Sequence, residues 1–147
     1  MTLRWLVAAV HLLALGIGLG GVWARGRALR ATLDADGVRR VLYADNLWGL
    51  AALLWIATGL ARAFGGLEKG AAYYLHSHSF LLKMALLGAI LVLELRPMVT
   101  FVRWRARLAR GEAVDTSAAR TFATISFVQA GIVIAMVLAA TAMARGR

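Results

Sequence analysis

The chain has no cysteine. That removes disulfides, thiolate metal sites, iron–sulfur clusters and c-type haem attachment, so any metal or haem iron has to be held by His, Met, Tyr or carboxylate. Charge is scarce and one-sided: 16% of the 147 residues are charged, with 7 Asp and Glu against 17 Lys and Arg. Also missing are a Ser/His/Asp constellation, a P-loop and zinc-type spacing, which leaves the common soluble-enzyme chemistries without their residues. No inverted repeat or pair of broken helices marks a secondary transporter.

What is present in excess is apolar. At 61% hydrophobic residues, the chain exceeds globular usage and fits a polytopic membrane protein of one domain, residues 1–147. A net charge of +10 raises the question of nucleic acid, but the Arg residues cluster in short segments between long apolar runs. Positive-inside signals belong there, so nucleic acid is excluded as a partner and the lipid bilayer takes its place.

Hydropathy predicts an all-α membrane protein with four transmembrane spans, at about 3–24, 44–61, 79–99 and 122–143. The first run is nearer twenty residues than the 7–15 or so of a signal-peptide core, so it reads as a retained helix. Its GIGLGG matches a dinucleotide-binding spacing, but no strand precedes it; small residues at helix contacts explain it better. Ala14 with Gly18, or Gly16 with Gly20, would let another backbone or a flat cofactor approach. The segments after spans one and three hold ten Arg, at 25, 27, 30, 39 and 40 and at 103, 105, 107, 110 and 120; the other side holds Arg4, Arg62, Lys69, Arg145 and Arg147. This bias predicts both basic loops in the cytoplasm of a bacterial inner membrane and both termini outside, with the spans in an antiparallel bundle. Trp5, Trp23, Trp48 and Trp104 fall near predicted interfaces, as membrane-belt anchors do, whereas Trp55 lies deeper.

The informative stretch is Tyr73–Phe101. His76, Phe80, Lys83, Leu87, Ile90 and Glu94 follow helical steps along one face. Ionisable groups at membrane depth cost roughly 2.5–3.5 kcal/mol each on insertion scales and usually face a bundle interior. At 1.5 Å per residue, His11 lies about 12 Å inside span one and Lys83 about 6 Å inside span three, with His76 and His78 at the mouth. Asp45, Glu94 and Arg96 occupy the opposite, inner layer with Ser126 and Gln129. An Asp45–Arg96 or Glu94–Arg96 ion pair would hold these charges. Each group also has a plainer role: His11 as an interhelical hydrogen-bonding partner, His76 and His78 as solvated interfacial residues, Lys83 as a snorkelling side chain, and Asp45 as an N-terminal helix cap. Pro97 either kinks span three or marks its last turn.

The ordered set DNLWGLAALLWIATGLAR (45–62), KGAAYYL (69–75), FLLK (80–83) and LRPMVTFVRWR (95–105) resembles a bacterial family of small predicted inner-membrane proteins with no assigned function. The likeness runs over nearly the whole chain. It implies recurring roles for the positions of His11, Asp45, Gly49, Arg62, Lys69, Gly70, Tyr74, Lys83 and Pro97. More distantly, VHLLAL with His11 and FLLKMALLGAILVLE with Lys83 are similar to HemJ-type protoporphyrinogen oxidases and CopD-like membrane proteins. That likeness implies a four-helix bundle binding b-type haem, with His11 as axial ligand and Lys83 as a propionate or substrate partner.

Three expectations follow. In the first, the outer half binds haem b through His11, with His76 or His78 as a second ligand, Lys83 nearby, glycines 16, 18 and 20 making room for the ring, and a redox role. In the second, the chain is a structural or accessory subunit of a homo-oligomer or larger membrane complex, and its polar residues only fix packing. The third is metal handling through His11, His76, His78 and Glu94, with His11 and His78 as the metal pair.

Overall fold

A computed structural model describes residues 2–64 and 78–145. Within them the chain forms four helices: α1 (Leu3–Arg30), α2 (Ala35–Phe64), α3 (His78–Ala109) and α4 (Ala119–Ala144). Each contains a stretch long and apolar enough to cross a membrane. The short connections 31–34 and 110–118 make α1/α2 and α3/α4 antiparallel neighbours. α1 packs along both α2 and α4, and α4 packs along α3, whereas α2 and α3 approach each other in only a few places. That loose seam matters below. We call the half with the two short connections the basic half and the other the far half.

The helices run well beyond the predicted spans into the basic segments. Composition made residues 25–40 look like a loop, yet α1 continues to Arg30 because its inward positions still bury: Arg25, Gly26 and Leu29 are buried while Arg27 and Arg30 are exposed. α2 starts at Ala35, far ahead of residue 44, and its cap is Asp34, whose Oδ1 accepts the Gly37 N–H at 2.7 Å. The cap suggested for Asp45 is therefore corrected: Asp45 lies inside the helix. Gly37 is required there, since a Cβ would run into the Thr32 carbonyl. α3 passes through buried Pro97 without ending. It closes near Gly111, whose φ of 71° suits a residue without Cβ, with the Glu112 N–H returning to the Arg107 carbonyl at 2.9 Å.

Small residues set the helix contacts of α1. A Cβ at Gly21 would stand 3.0 Å from the Trp48 backbone nitrogen, so the α1–α2 approach at this level depends on its absence. Gly18 faces Ala51 and Trp48, and Gly26 faces the Phe127 ring. Gly16 and Gly20 have nothing within 4 Å of a Cβ position and are exposed. Of the two predicted small-residue pairs, Ala14/Gly18 is therefore at a contact and Gly16/Gly20 faces outward. The glycines do not open a slot for a flat ring: Gly18 is taken by α2, and the other two point away.

Along the axis, the interior alternates. At the basic end Leu29, Val41, Phe101, Trp104 and Phe122 form one apolar cluster. A polar layer follows, then a second apolar cluster with Val22, Ile90, Val133 and Met136, and finally Ala63 and Phe80 in the far half. The outside is Leu- and Val-rich, with Leu13, Leu53, Val92 and Leu138 all more than 60% exposed. A surface of that kind is soluble only in lipid.

Candidate functional site

The polar layer is organised by a residue the sequence placed in a loop. Arg25 is fully buried. Its Nε donates to Ser126 Oγ at 2.9 Å. Its Nη1 donates to Asp45 Oδ1 at 2.8 Å and to Glu94 Oε1 at 2.7 Å. Its Nη2 donates to Glu94 Oε2 at 3.1 Å and to Gln129 Oε1 at 2.7 Å. A guanidinium has five N–H donors, and each has an acceptor here. The acceptors are satisfied in turn. Glu94 Oε2 also takes the Trp48 indole N–H at 3.2 Å and Gln129 Nε2 at 2.9 Å; Gln129 Nε2 also reaches the Ile90 carbonyl at 3.2 Å. Ser126 passes its proton to the Phe122 carbonyl at 2.8 Å. Arg105 Nη2 closes the layer on Asp45 Oδ2 and on Asn46 Oδ1, both at 2.7 Å.

Arg25 and Arg105 balance Asp45 and Glu94, so the layer is neutral, and all four helices contribute to it. Neutrality and complete hydrogen bonding are the conditions under which charge is tolerated at low dielectric. Ion pairing of Asp45 and Glu94 was legible in the sequence, but its cation was not. Arg96 is exposed, its guanidinium 5.9 Å from the Phe122 ring, and it pairs with neither carboxylate. The predicted Arg96 pairs are corrected to Arg25 and Arg105. Because α1 continues past residue 24, Arg25 stays on its inward face, while Arg96, two residues after Glu94, is rotated about 200° from it.

The aromatic assignments divide similarly. Trp5 and Trp23 are exposed, as belt residues are. Trp48 and Trp104 are not anchors: Trp48 is buried on Glu94, and Trp104 packs edge-on against Phe101 with ring centroids 5.2 Å apart.

The far half holds the second site, a chamber of about 470 Å³ lined by His11, Trp55, Arg62, Lys83, Met84 and Met136 among others. That volume lies in the range of small-molecule and cofactor sites. The imidazole of His11 stacks on Trp55, with centroids 5.1 Å apart and planes 17° from parallel. Lys83 Nζ lies 5.1 Å from the Trp55 ring centroid, a cation–π distance. A Cβ at Gly59 would come within 3.2 Å of His11 Cε1, so the glycine makes way for the ring.

The tautomer of His11 follows from its neighbour. His11 Nδ1 stands 2.8 Å from Thr58 Oγ1, and that hydroxyl is 2.7 Å from the Leu54 carbonyl. A hydroxyl has one proton, and the carbonyl can only accept, so the Thr58 proton is spent on Leu54. Thr58 must then accept from His11 Nδ1–H. In the neutral imidazole this leaves Nε2 carrying the lone pair, the arrangement that a second-shell acceptor imposes on metal-ligating histidines. One chamber thus carries an oriented imidazole, two thioethers and the side chains of Lys83 and Arg62.

The structure brings His11 and Lys83 together across Trp55. His78 opens α3, is exposed and does not line the chamber; His76 lies outside the described residues. Among the described residues no group of three or more His, Asp or Glu is placed to hold a metal ion, and Glu94 is engaged by Arg25. Sequence reasoning missed Met84 and Arg62 as chamber residues and Thr58 as the partner of His11, although Arg62 and Thr58 share the Trp55 face of α2 at helical spacing.

Four apolar helices around a neutralised charge layer, with a lipid-facing exterior, define a small polytopic helical membrane protein. The chain belongs to the family described as predicted membrane protein DUF2214, whose model matches residues 3–147. No curated protein and no solved structure matches it.

Proposed function

We propose that this membrane protein binds b-type haem in the far-half chamber, with His11 as the residue that would hold the iron, and that it has a redox role. The observation that carries this reading is the Thr58-imposed tautomer of His11, which makes Nε2 the basic nitrogen of a residue that lines a cavity of about 470 Å³ together with Lys83 and Arg62. His11 would hold the iron, Met84 or Met136 could supply a second ligand, and Lys83 and Arg62 would meet the propionates. Bound haem supplies one-electron chemistry; the chain's own residues orient the imidazole, exclude water with apolar walls and neutralise carboxylates. The test is an absorption spectrum after haem-supplemented expression. A Soret band that shifts on dithionite reduction and is lost in His11→Ala is expected; a colourless protein, or unchanged haem content in that variant, overturns the reading.

In this reading the protein sits in a bacterial inner membrane with its basic connections cytoplasmic and its termini outside, supported by the Arg bias. A second reading, a structural or accessory subunit of a homo-oligomer or larger membrane complex, draws support from a different observation: the Arg25 layer is complete in itself and needs no ligand. It predicts a colourless chain that co-purifies with a larger assembly.

A further inference from the structure

One face of α3 is left open by its neighbours. Ala85, Ala89, Val92, Arg96, Arg103 and Arg107 recur at steps of 4, 3, 4, 7 and 4, so they fall on a single strip of the helix. All six are exposed. Toward the far half the strip is shallow and apolar, and toward the basic end it turns cationic. An amphiphile lying along the helix has the same profile, an acyl chain followed by an anionic head.

Arg96 makes the demand acute. It follows Glu94 of the buried layer by two positions, about 3 Å along the axis. Apolar side chains stay on the outside beyond it: Met98, Val99 and Val102 are each more than half exposed, the last about 9 Å further on. Arg96 therefore leaves the bundle at a depth that still faces hydrocarbon, where a charge without a counter-ion is costly. Its guanidinium lies 5.9 Å from the ring of Phe122, a member of the basic-end cluster, as a side chain snorkelling toward that end does.

Among the described residues no carboxylate pairs with Arg96 or Arg103. Asp45 and Glu94 are held by Arg25 and Arg105, Asp36 by Arg39, and Glu112 by Arg107 and Arg110. Arg96 and Arg103 stand two helical turns apart, about 10.5 Å, so their extended side chains can close on one phosphate between them. In a bilayer the anion at hand is a phospholipid head group.

We infer that this strip of α3 binds an anionic phospholipid, with its phosphate between Arg96 and Arg103 and an acyl chain along Val92, Ala89 and Ala85. A net-negative head group is selected over a zwitterionic one, because a choline ammonium brings a further cation to the site. The site is on the outer face of the bundle and does not rest on the haem reading.

The test places the full chain in phosphatidylcholine vesicles with a trace of phosphatidylglycerol carrying a mid-chain diazirine, followed by photolysis and peptide mass spectrometry. Adducts on Ala85, Ala89 and Val92 are expected at about fivefold or more above those from the matching phosphatidylcholine probe, the factor that one arginine near an anionic head group supplies. Equal labelling of the strip by the two probes overturns the inference, with no variant needed. Arg96→Gln should lower the phosphatidylglycerol adducts about fivefold, and adding Arg103→Gln should bring them to the phosphatidylcholine level. Both side chains are exposed, so the melting midpoint should hold. Arg27→Gln is the control: it removes an exposed arginine of the basic half from α1, across the bundle from α3, and should leave labelling of the strip unchanged. A loss there as large as in Arg96→Gln would mean a diffuse positive field in place of a site, and overturns the inference.

Discussion

The two polar regions of this bundle obey opposite rules. In the buried layer of the basic half, every charge is matched: the five guanidinium donors of Arg25 meet five acceptors, and two acids meet two arginines. In the far half, cationic and aromatic groups surround open space. A matched layer has nothing left to offer a ligand, so its value is in fixing how four helices sit against one another. The chamber gives up packing and is the place where a ligand could repay it. The difference teaches that buried charge alone does not mark a functional site; buried charge beside volume is the sharper signal.

The comparison is broken most severely at Arg25. Arg25→Met leaves Glu94 buried without a cation and should cost about 3–5 kcal/mol, or abolish folding. Arg25→Lys should not recover it, since three ammonium donors cannot serve five acceptors in a planar fork. Thermal unfolding in detergent checks both, and a midpoint unchanged in Arg25→Met would erase the distinction between the halves. Next in size is Gly21→Ala, whose new Cβ would crowd the Trp48 backbone at 3.0 Å; overpacking of this kind costs roughly 1–3 kcal/mol. Gly18→Ala, at 3.4 Å from the Ala51 Cβ, should be tolerated in the same assay.

Far-half substitutions sharpen the comparison from the other side. Thr58→Val deprives His11 Nδ1–H of its acceptor; it should lower haem retention while costing about 1 kcal/mol of stability, near the net worth of one hydrogen bond. Haem content per protein and the unfolding midpoint, measured on one preparation, separate the two effects. If the midpoint falls as far as in Arg25→Met, the far half is a packing layer too. The smallest effect is expected at Gly16→Ala, where the Cβ meets nothing and the helix gains up to about 1 kcal/mol in propensity; a marked loss there would reveal a partner on that face.

Much of the fold was legible because it depends on local quantities. Long apolar runs give four helices, and the period of 3.6 placed Phe80, Lys83, Leu87, Ile90 and Glu94 on one face; all five line the interior sites. The helix ends were not legible. Arg-rich composition mimics a loop, and only the burial of every third or fourth residue, Arg25 and Leu29 or Val38, Val41 and Leu42, reveals the helices extending through it. The chamber was half legible: His11 and Lys83 stood out as polar groups in lipid, whereas Met84 in the lining and Thr58 beside His11 looked ordinary until their helices were set side by side.

The sequence by itself determined the class of protein, the number of spans and the two polar depths, because hydropathy and helical period are properties of each segment alone. The tertiary structure decided which arginine enters the charge layer and where the bundle stays open. Pairing Arg25 with Asp45, Glu94 and Gln129 requires the rotation and register of four helices at once. The far-half chamber exists because α2 and α3, although adjacent in the chain, fail to close on each other. Neither fact is written in any one stretch of residues.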